Sequence, residues 1–178
     1  SKIKEAFSLF KEFDLVLVCY GSLPNQSQCE ANAEQTTKAL DCNALSVLSF
    51  LTTLIPYMEN SKKGTIAVVT SVAGDRGRRS NFIYGSAKAM VSSYLQGLRG
   101  KLAEANVSLL EIRPGLVDSP MTSHLPKTHL FSTPDIVGKK IEWGIDNRKT
   151  TIYAPGYWRL IMWVVKLMPD KLFMRLKF

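Results

Sequence analysis

Tyr84 and Lys88 stand four residues apart in a stretch of helical periodicity, which stacks them on one helix face. A phenol ordinarily loses its proton near pH ~10, and an ammonium beside it favours the phenolate, drawing the group toward acid/base work near neutrality. Tyr-x-x-x-Lys alone is a weak pattern that also fits a half-buried ring beside a surface aliphatic stem. Context sharpens it. Ser71, thirteen residues before Tyr84, follows directly on the β-rich run from Thr65 to Thr70. Its hydroxyl therefore belongs at the carboxyl edge of a sheet, where open α/β folds bind ligands. Asn43 lies on the helical stretch ahead of that strand, and Arg113-Pro114-Gly115 closes the next strand, with Pro114 thirty residues beyond Tyr84.

The elements that must position these groups alternate. Ile3, Phe7 and Phe10 have helical spacing, and Asp14 leads into the apolar run from Leu15 to Tyr20 before Gly21. Helical stretches are predicted over about 33–59 and 84–105, strands over 65–70, 107–112 and 151–154. Thr133-Pro134-Asp135 reads as a helix start, with Thr133 as N-cap and Pro134 in the first turn, ahead of a helix to about Asp146. Helices alternating with nearly continuous apolar strands predict a parallel, doubly wound α/β sheet covered on both faces. At 178 residues and 46% apolar content, the chain fits one domain over about 1–156, followed by a segment of different character over 157–178.

In order and spacing, Asn43, Ser71, the Tyr84-Gly85-Ser86-Ala87-Lys88 segment and Arg113-Pro114-Gly115 resemble the short-chain dehydrogenase/reductase family from about residue 14 to Met121. The resemblance implies a Rossmann-like fold and an oxidoreductase using NAD or NADP, with the preference between the two unreadable. It implies Tyr84 as general acid/base, Lys88 lowering its pKa and bonding the nicotinamide ribose, and Ser71 polarising the substrate carbonyl. Asn43 is implied to hold a water linking Lys88 to solvent, with a helix residue capping a kink as the lesser alternative. Gly21, Pro114, Gly115 and the backbone of Val117 are implied to border the cofactor, with Ser119 where the family often has Thr. Two departures stand out. The family's Asn-Asn-Ala-Gly appears as Val18-Cys19-Tyr20-Gly21, and no Gly-rich pyrophosphate turn precedes Asp14. The first βαβαβ unit is thus expected to be missing, and the chain as it stands to bind cofactor poorly. The resemblance also implies a homodimer or homotetramer.

The substrate is approached through two unusual features. Gly74 to Phe82, between Ser71 and Tyr84, holds Arg76, Arg78 and Arg79, whose guanidinium forks suit phosphate oxygens. A solvated basic loop or a subunit contact is the alternative. The segment from Tyr157 to Phe178 mixes five basic residues and one acid with Trp158, Leu160, Ile161, Trp163, Val164 and Val165. Its uninterrupted apolar run is far short of the roughly 20 residues that span a bilayer, so it is expected to lie on a membrane surface or to close a substrate lid or dimer contact. Together with Tyr153-Ala154-Pro155-Gly156-Tyr157-Trp158-Arg159, these features resemble family members that reduce decaprenylphosphoryl-linked keto sugars as one subunit of a two-subunit epimerase. A steroid, retinoid or acyl carbonyl is the alternative substrate, and a non-catalytic, partner-dependent subunit the alternative role.

The formal charge of +8 suits an anionic partner, but no nucleic-acid-binding motif accompanies it. Cys19, Cys29 and Cys42 form no CxxC or Cys/His ligand pattern, so neither a disulfide framework nor a metal site is expected. Without a basic-apolar leader in view, a cytoplasmic protein is expected, peripheral at the inner membrane face if the tail docks there.

Overall fold

The computed structural model describes residues 13–176 together with Glu5 and Leu9; the helix expected from Ile3, Phe7 and Phe10 lies outside the described residues. Four strands, β1 (Leu15–Val18), β2 (Thr65–Val69), β3 (Ser108–Pro114) and β4 (Thr151–Ala154), form one parallel sheet in the order β1-β2-β3-β4. Each strand joins its neighbour in register, with Val16 opposite Ile66, Ala67 opposite Leu110 and Ile112 opposite Ile152. Every connection therefore carries a helical crossover, the arrangement a parallel sheet requires.

After a short α1 (Gln26–Ala31), Asn32 caps α2 (Ala33–Leu40) by accepting hydrogen bonds from the Glu34 and Gln35 amides. The helix expected as one element is interrupted by a π-helical turn over Asp41–Leu45 and resumes as α3 (Ser46–Ser61). Such insertions are frequently found at functional sites, and this one contains Asn43. Val47, Leu51, Leu54, Ile55 and Met58 bury the apolar face of α3. They pack with Ile66, Val68, Leu95 and Leu102 into one core, each large side chain contributing about 1.5–3 kcal/mol by leaving water. Lys62, at φ 51°, ends α3 in a left-handed cap, and Gly64, at φ 100°, turns the chain into β2. A Cβ at Gly64 would come within 2.7 Å of the Phe13 carbonyl.

The second crossover is α4 (Phe82–Glu104), which shares the α3 side of the sheet. The opposite side is covered by α5 (Pro134–Asp146), whose Val137 packs with Ala67, Leu110 and Ile152. Thr133 caps α5 as the sequence predicts. Coverage on both faces does not extend to β1: Leu15 and Leu17 are 45% and 43% exposed, because α5 packs at the β3–β4 end of the sheet. The tail from Tyr157 folds back as α6 (Trp158–Leu167) and α7 (Asp170–Phe173). Trp158, Met162 and Val165 bury one face of α6 against Val72, at the carboxyl edge of the sheet.

Candidate active site

Ser71 leaves β2 in extended conformation and starts a single 3-10 turn (Val72–Gly74), its Oγ accepting from the Ala73 amide at 3.1 Å. That turn lies directly on α4. A Cβ at Gly85 would sit 2.8 Å from the Ala73 carbonyl, so glycine beside Tyr84 is what lets the Ser71 loop approach. The approach sets Ser71 and the Tyr84 phenol side by side at one pocket wall. Burial pushes the Tyr84 phenol above its ordinary value, and the Ser71 hydrogen bond takes back only part of that shift. The shift therefore runs opposite to the one expected from Lys88 alone. The physical reason is position: Nζ of Lys88 lies 5.7 Å from the centroid of the Tyr84 ring, over its face, while the oxygen sits in an apolar pocket.

Lys88 is itself buried, and among the described residues its side chain makes one hydrogen bond, a long one of 3.4 Å to the Val69 carbonyl. Burial lowers its pKa to about 8, against an upward pull from Cys42. Asn43 is fully buried in the π-helical turn. Its Oδ1 accepts from the Ser22 amide at 2.9 Å and its Nδ2 donates to the Ala39 carbonyl at 3.0 Å, so it braces the turn it sits in. Gly21 lies against both: a Cβ there would be 2.9 Å from Asn43 Oδ1 and 3.4 Å from Lys88 Nζ. The space beside these two groups is open only because residue 21 has no side chain.

Across the sheet edge, Pro114 ends β3 and the Gly115 amide donates to the Ala154 carbonyl. Gly115 is tightly packed by the Trp158 indole, whose Nε1 would lie 1.8 Å from a Cβ at that position. Val117 bridges to Ser132, and its carbonyl accepts from the Thr122 hydroxyl. Ser71, Tyr84 and Gly115 thus open on one pocket of about 490 Å³. Its walls are largely apolar, built from Leu116, Leu125, Leu130, Ile161 and Val165 among others.

The three arginines do not converge. Arg76 donates to the Val165 and Met168 carbonyls and to the Asp170 carboxylate, and its guanidinium stacks 4.0 Å above the Phe173 ring. It pins the carboxyl end of α6 and the start of α7, so the expectation that it meets a phosphate gives way to a structural role. Arg79 is exposed and outside the pocket lining. Arg78 alone lines the pocket, donating to the Met162 sulfur at 3.4 Å.

A second cluster went unmarked in the sequence. Glu111, fully buried in β3, accepts from Arg113 through both oxygens, at 2.8 and 3.0 Å, and from the Ser92 and Thr70 hydroxyls. Arg113 also bonds Asp75, next to the Ser71 turn, at 2.6 Å. The signal was present: two charges two residues apart in a strand share one face of the sheet. Trp158 left no such signal, since the sequence showed an apolar α6 without showing which face turns inward.

A parallel sheet with helical crossovers, a buried lysine behind a tyrosine, and a serine at the strand edge define an open α/β fold with its site at the carboxyl edge of the sheet. The model of the short chain dehydrogenase family matches residues 1–130, and the chain belongs to that family. It is 33% identical over 165 residues to an uncharacterized oxidoreductase of Streptomyces coelicolor, covering 93% of this chain and 65% of that protein. It is 31% identical over 153 residues to an uncharacterized oxidoreductase of Mycobacterium tuberculosis, covering 86% of this chain and 61% of that protein. The chain thus spans somewhat under two thirds of the length of these curated relatives. Among solved structures, a Burkholderia cenocepacia short chain dehydrogenase in complex with NADP superposes with a TM-score of 0.80 at 19% identity, covering 94% of this chain and 74% of that one. A Brucella melitensis 3-oxoacyl-[acyl-carrier protein] reductase in complex with NAD gives 0.73 at 19%, covering 85% and 69%.

Proposed function

We propose that this chain carries the catalytic part of an NAD(P)H-dependent reductase in which Tyr84 is the proton donor, acting on an apolar, phosphorylated substrate of the kind that a polyprenyl-phosphate-linked keto sugar represents. The observation that carries the reading is the meeting of Ser71 and Tyr84 in an apolar pocket, with Lys88 buried behind the ring. The space that Gly21 leaves beside Lys88 Nζ and Asn43 Oδ1 suits a nicotinamide ribose, because an ammonium with one long hydrogen bond has N–H groups left for the two ribose hydroxyls. Reduced nicotinamide, when bound, supplies the hydride. With its pKa raised, Tyr84 is a phenol at neutral pH and can give its proton to the substrate oxygen, which the Ser71 hydroxyl polarises from beside it. The carbonyl carbon gains a hydride, its oxygen gains the Tyr84 proton, and the product is an alcohol. The charge on Lys88 stabilises the phenolate left behind.

The test follows cofactor oxidation by the full-length protein with NADH or NADPH, on decaprenylphosphoryl keto sugar and on steroid, retinoid and acyl-chain carbonyls. Turnover is expected to be fastest on the phosphorylated substrate. Faster turnover of a neutral carbonyl removes the substrate assignment, and no oxidation with any of them removes the reaction. Turnover seen only when a companion epimerase subunit is added assigns the chain to one half of a two-subunit enzyme.

The same reading places the protein at an anionic lipid surface. Leu160, Trp163, Val164 and Leu167 form an exposed stripe at helical spacing on the outer side of α6, with Arg159, Lys166, Lys171 and Arg175 exposed around it. Apolar burial and attraction to anionic headgroups act together on such a face. Flotation with phosphatidylglycerol vesicles is expected to carry the protein up, phosphatidylcholine vesicles much less, and Trp163→Asp to release it. No difference between the vesicles, or a dimer that dissociates in Trp163→Asp, assigns the stripe to a second copy of the chain.

A further inference from the structure

Four buried side-chain polar atoms among the described residues have no hydrogen-bond partner, and three belong to residues lining the active-site pocket: Arg78 Nε, Trp158 Nε1 and Asn81 Oδ1. The fourth, Arg99 Nε, belongs to a guanidinium already bonded to Glu111 and the Thr150 carbonyl. Buried donors normally find partners, because each one left without costs about 1–3 kcal/mol. Three of the four therefore belong to side chains of one cavity wall, which draws attention to the polar group of that wall that carries a charge, Arg78.

Charge bookkeeping identifies what kind of ligand. Asp75 and Glu111 are matched by Arg113 and Arg99 in a network that closes on itself. Asp75 raises the Arg78 pKa, but burial outweighs that pull and leaves it below the ordinary guanidinium value. Among the described residues its side chain hydrogen-bonds only to the Met162 sulfur, a weak acceptor. Among the described residues Arg78 is thus a cation with no carboxylate paired to it, at the wall of an apolar cavity beside Tyr84. Trp158 and Met162 are four apart on the buried face of α6, so the sulfur that Arg78 meets stands next to the indole that packs on Gly115.

We infer that the pocket takes an anionic amphiphile: an acidic headgroup, carboxylate or phosphate ester, seated on the Arg78 guanidinium, and an apolar chain along Leu116, Leu125, Leu130 and Ile161. Arg76 serves this site indirectly by holding α6, and with it Trp158 and Val165, in place as a wall. The inference rests on the reading of this cavity as the substrate pocket.

Calorimetric titration of the full-length protein with decyl phosphate, decanoate and decanol, each below its micelle concentration, tests it without requiring turnover. One site per chain is expected, with at least one of the two anions binding about tenfold tighter than decanol, as a charge-assisted hydrogen bond in a desolvated site provides. Which anion binds tighter assigns the headgroup. Arg78→Met is expected to bring all three ligands to the affinity of decanol. Arg78→Lys, which keeps the charge and loses the planar fork, is expected to retain part of the preference and guards against a folding artefact. Equal binding of decanol and both anions, or an anion preference that survives Arg78→Met, overturns the inference. Anion binding by a protein that oxidises no cofactor leaves the inference standing and removes the proposed reaction, so the two failures are distinguishable.

Discussion

Tyr84→Phe in the full-length protein is expected to lower kcat by about 10² to 10⁴, the range that a positioned proton donor contributes, with little change in substrate affinity. The ring stays, the pocket keeps its shape, and Ser71 keeps its hydrogen bond from the Ala73 amide. The fold should lose no more than about 1 kcal/mol, the net worth of one hydroxyl's polar contacts. The pH profile carries the mechanistic content. Lys88 titrates near about 8, so the charge that stabilises the Tyr84 phenolate fades as pH rises through that value, and wild-type turnover is expected to fall on the alkaline side. Stability moves the other way. Between about 8 and the ordinary lysine value of 10.5, the unfolded chain holds a proton that the folded chain has released, so the Lys88 contribution to folding becomes more favourable as pH rises across that window. Activity lost while thermal stability holds or rises separates loss of the ammonium from unfolding. Residual turnover in Tyr84→Phe should show a flattened alkaline limb. Retention of wild-type kcat in that variant removes Tyr84 from the reaction.

The parts of this site that the sequence shows are those set by local rules. A strand followed by serine, and a helix with tyrosine and lysine four apart, fix their own geometry within one or two elements, and the structure places Ser71, Tyr84 and Lys88 accordingly. The parallel sheet followed in the same way from alternating helices and apolar strands. What the sequence left open depends on which element packs on which. Arg76, Arg78 and Arg79 look equivalent along the chain, yet one stacks on Phe173 of a helix nearly a hundred residues later, one lines the cavity, and one faces solvent. The tail shows the same limit. Leu160 and Met162 have similar apolarity, but only the docking of Trp158 over Gly115 decides that Met162 is buried and Leu160 exposed. The direction of the Tyr84 shift was likewise hidden, because it depends on burial contributed by several elements.

Arg113→Met is expected to destabilise the fold by about 3–5 kcal/mol, the cost of leaving a buried ion pair without its cation. Burial works against the charge of Arg113, yet the hydrogen bond and charge of Glu111, with the charge of Asp75, hold its pKa above the ordinary guanidinium value. Removing it leaves the Glu111 side chain, with 0% exposure, to Arg99 at 3.4 Å, and the Asp75 side chain, with 2% exposure, to the Tyr153 hydroxyl. Against a total stability of about 5–15 kcal/mol, that loss should be plain in urea denaturation. Replacing Glu111 with Leu in the same chain removes one of the stranded charges, so the double variant should be more stable than the sum of the two single losses. Additive losses would mean that Arg113 acts through packing of its stem and not through charge. Activity should respond as well, because Asp75 is the residue that ends the turn begun by Ser71. Arg113 therefore ties the sheet to the loop that presents the Ser71 hydroxyl. At a temperature where the variant is still folded, a displaced Ser71 should lower kcat, since a misplacement of about 1 Å in a catalytic group can cost about 10²-fold. Full kcat in the folded variant would show that the Ser71 turn is held by its seat on α4, at Gly85, without help from the buried charges.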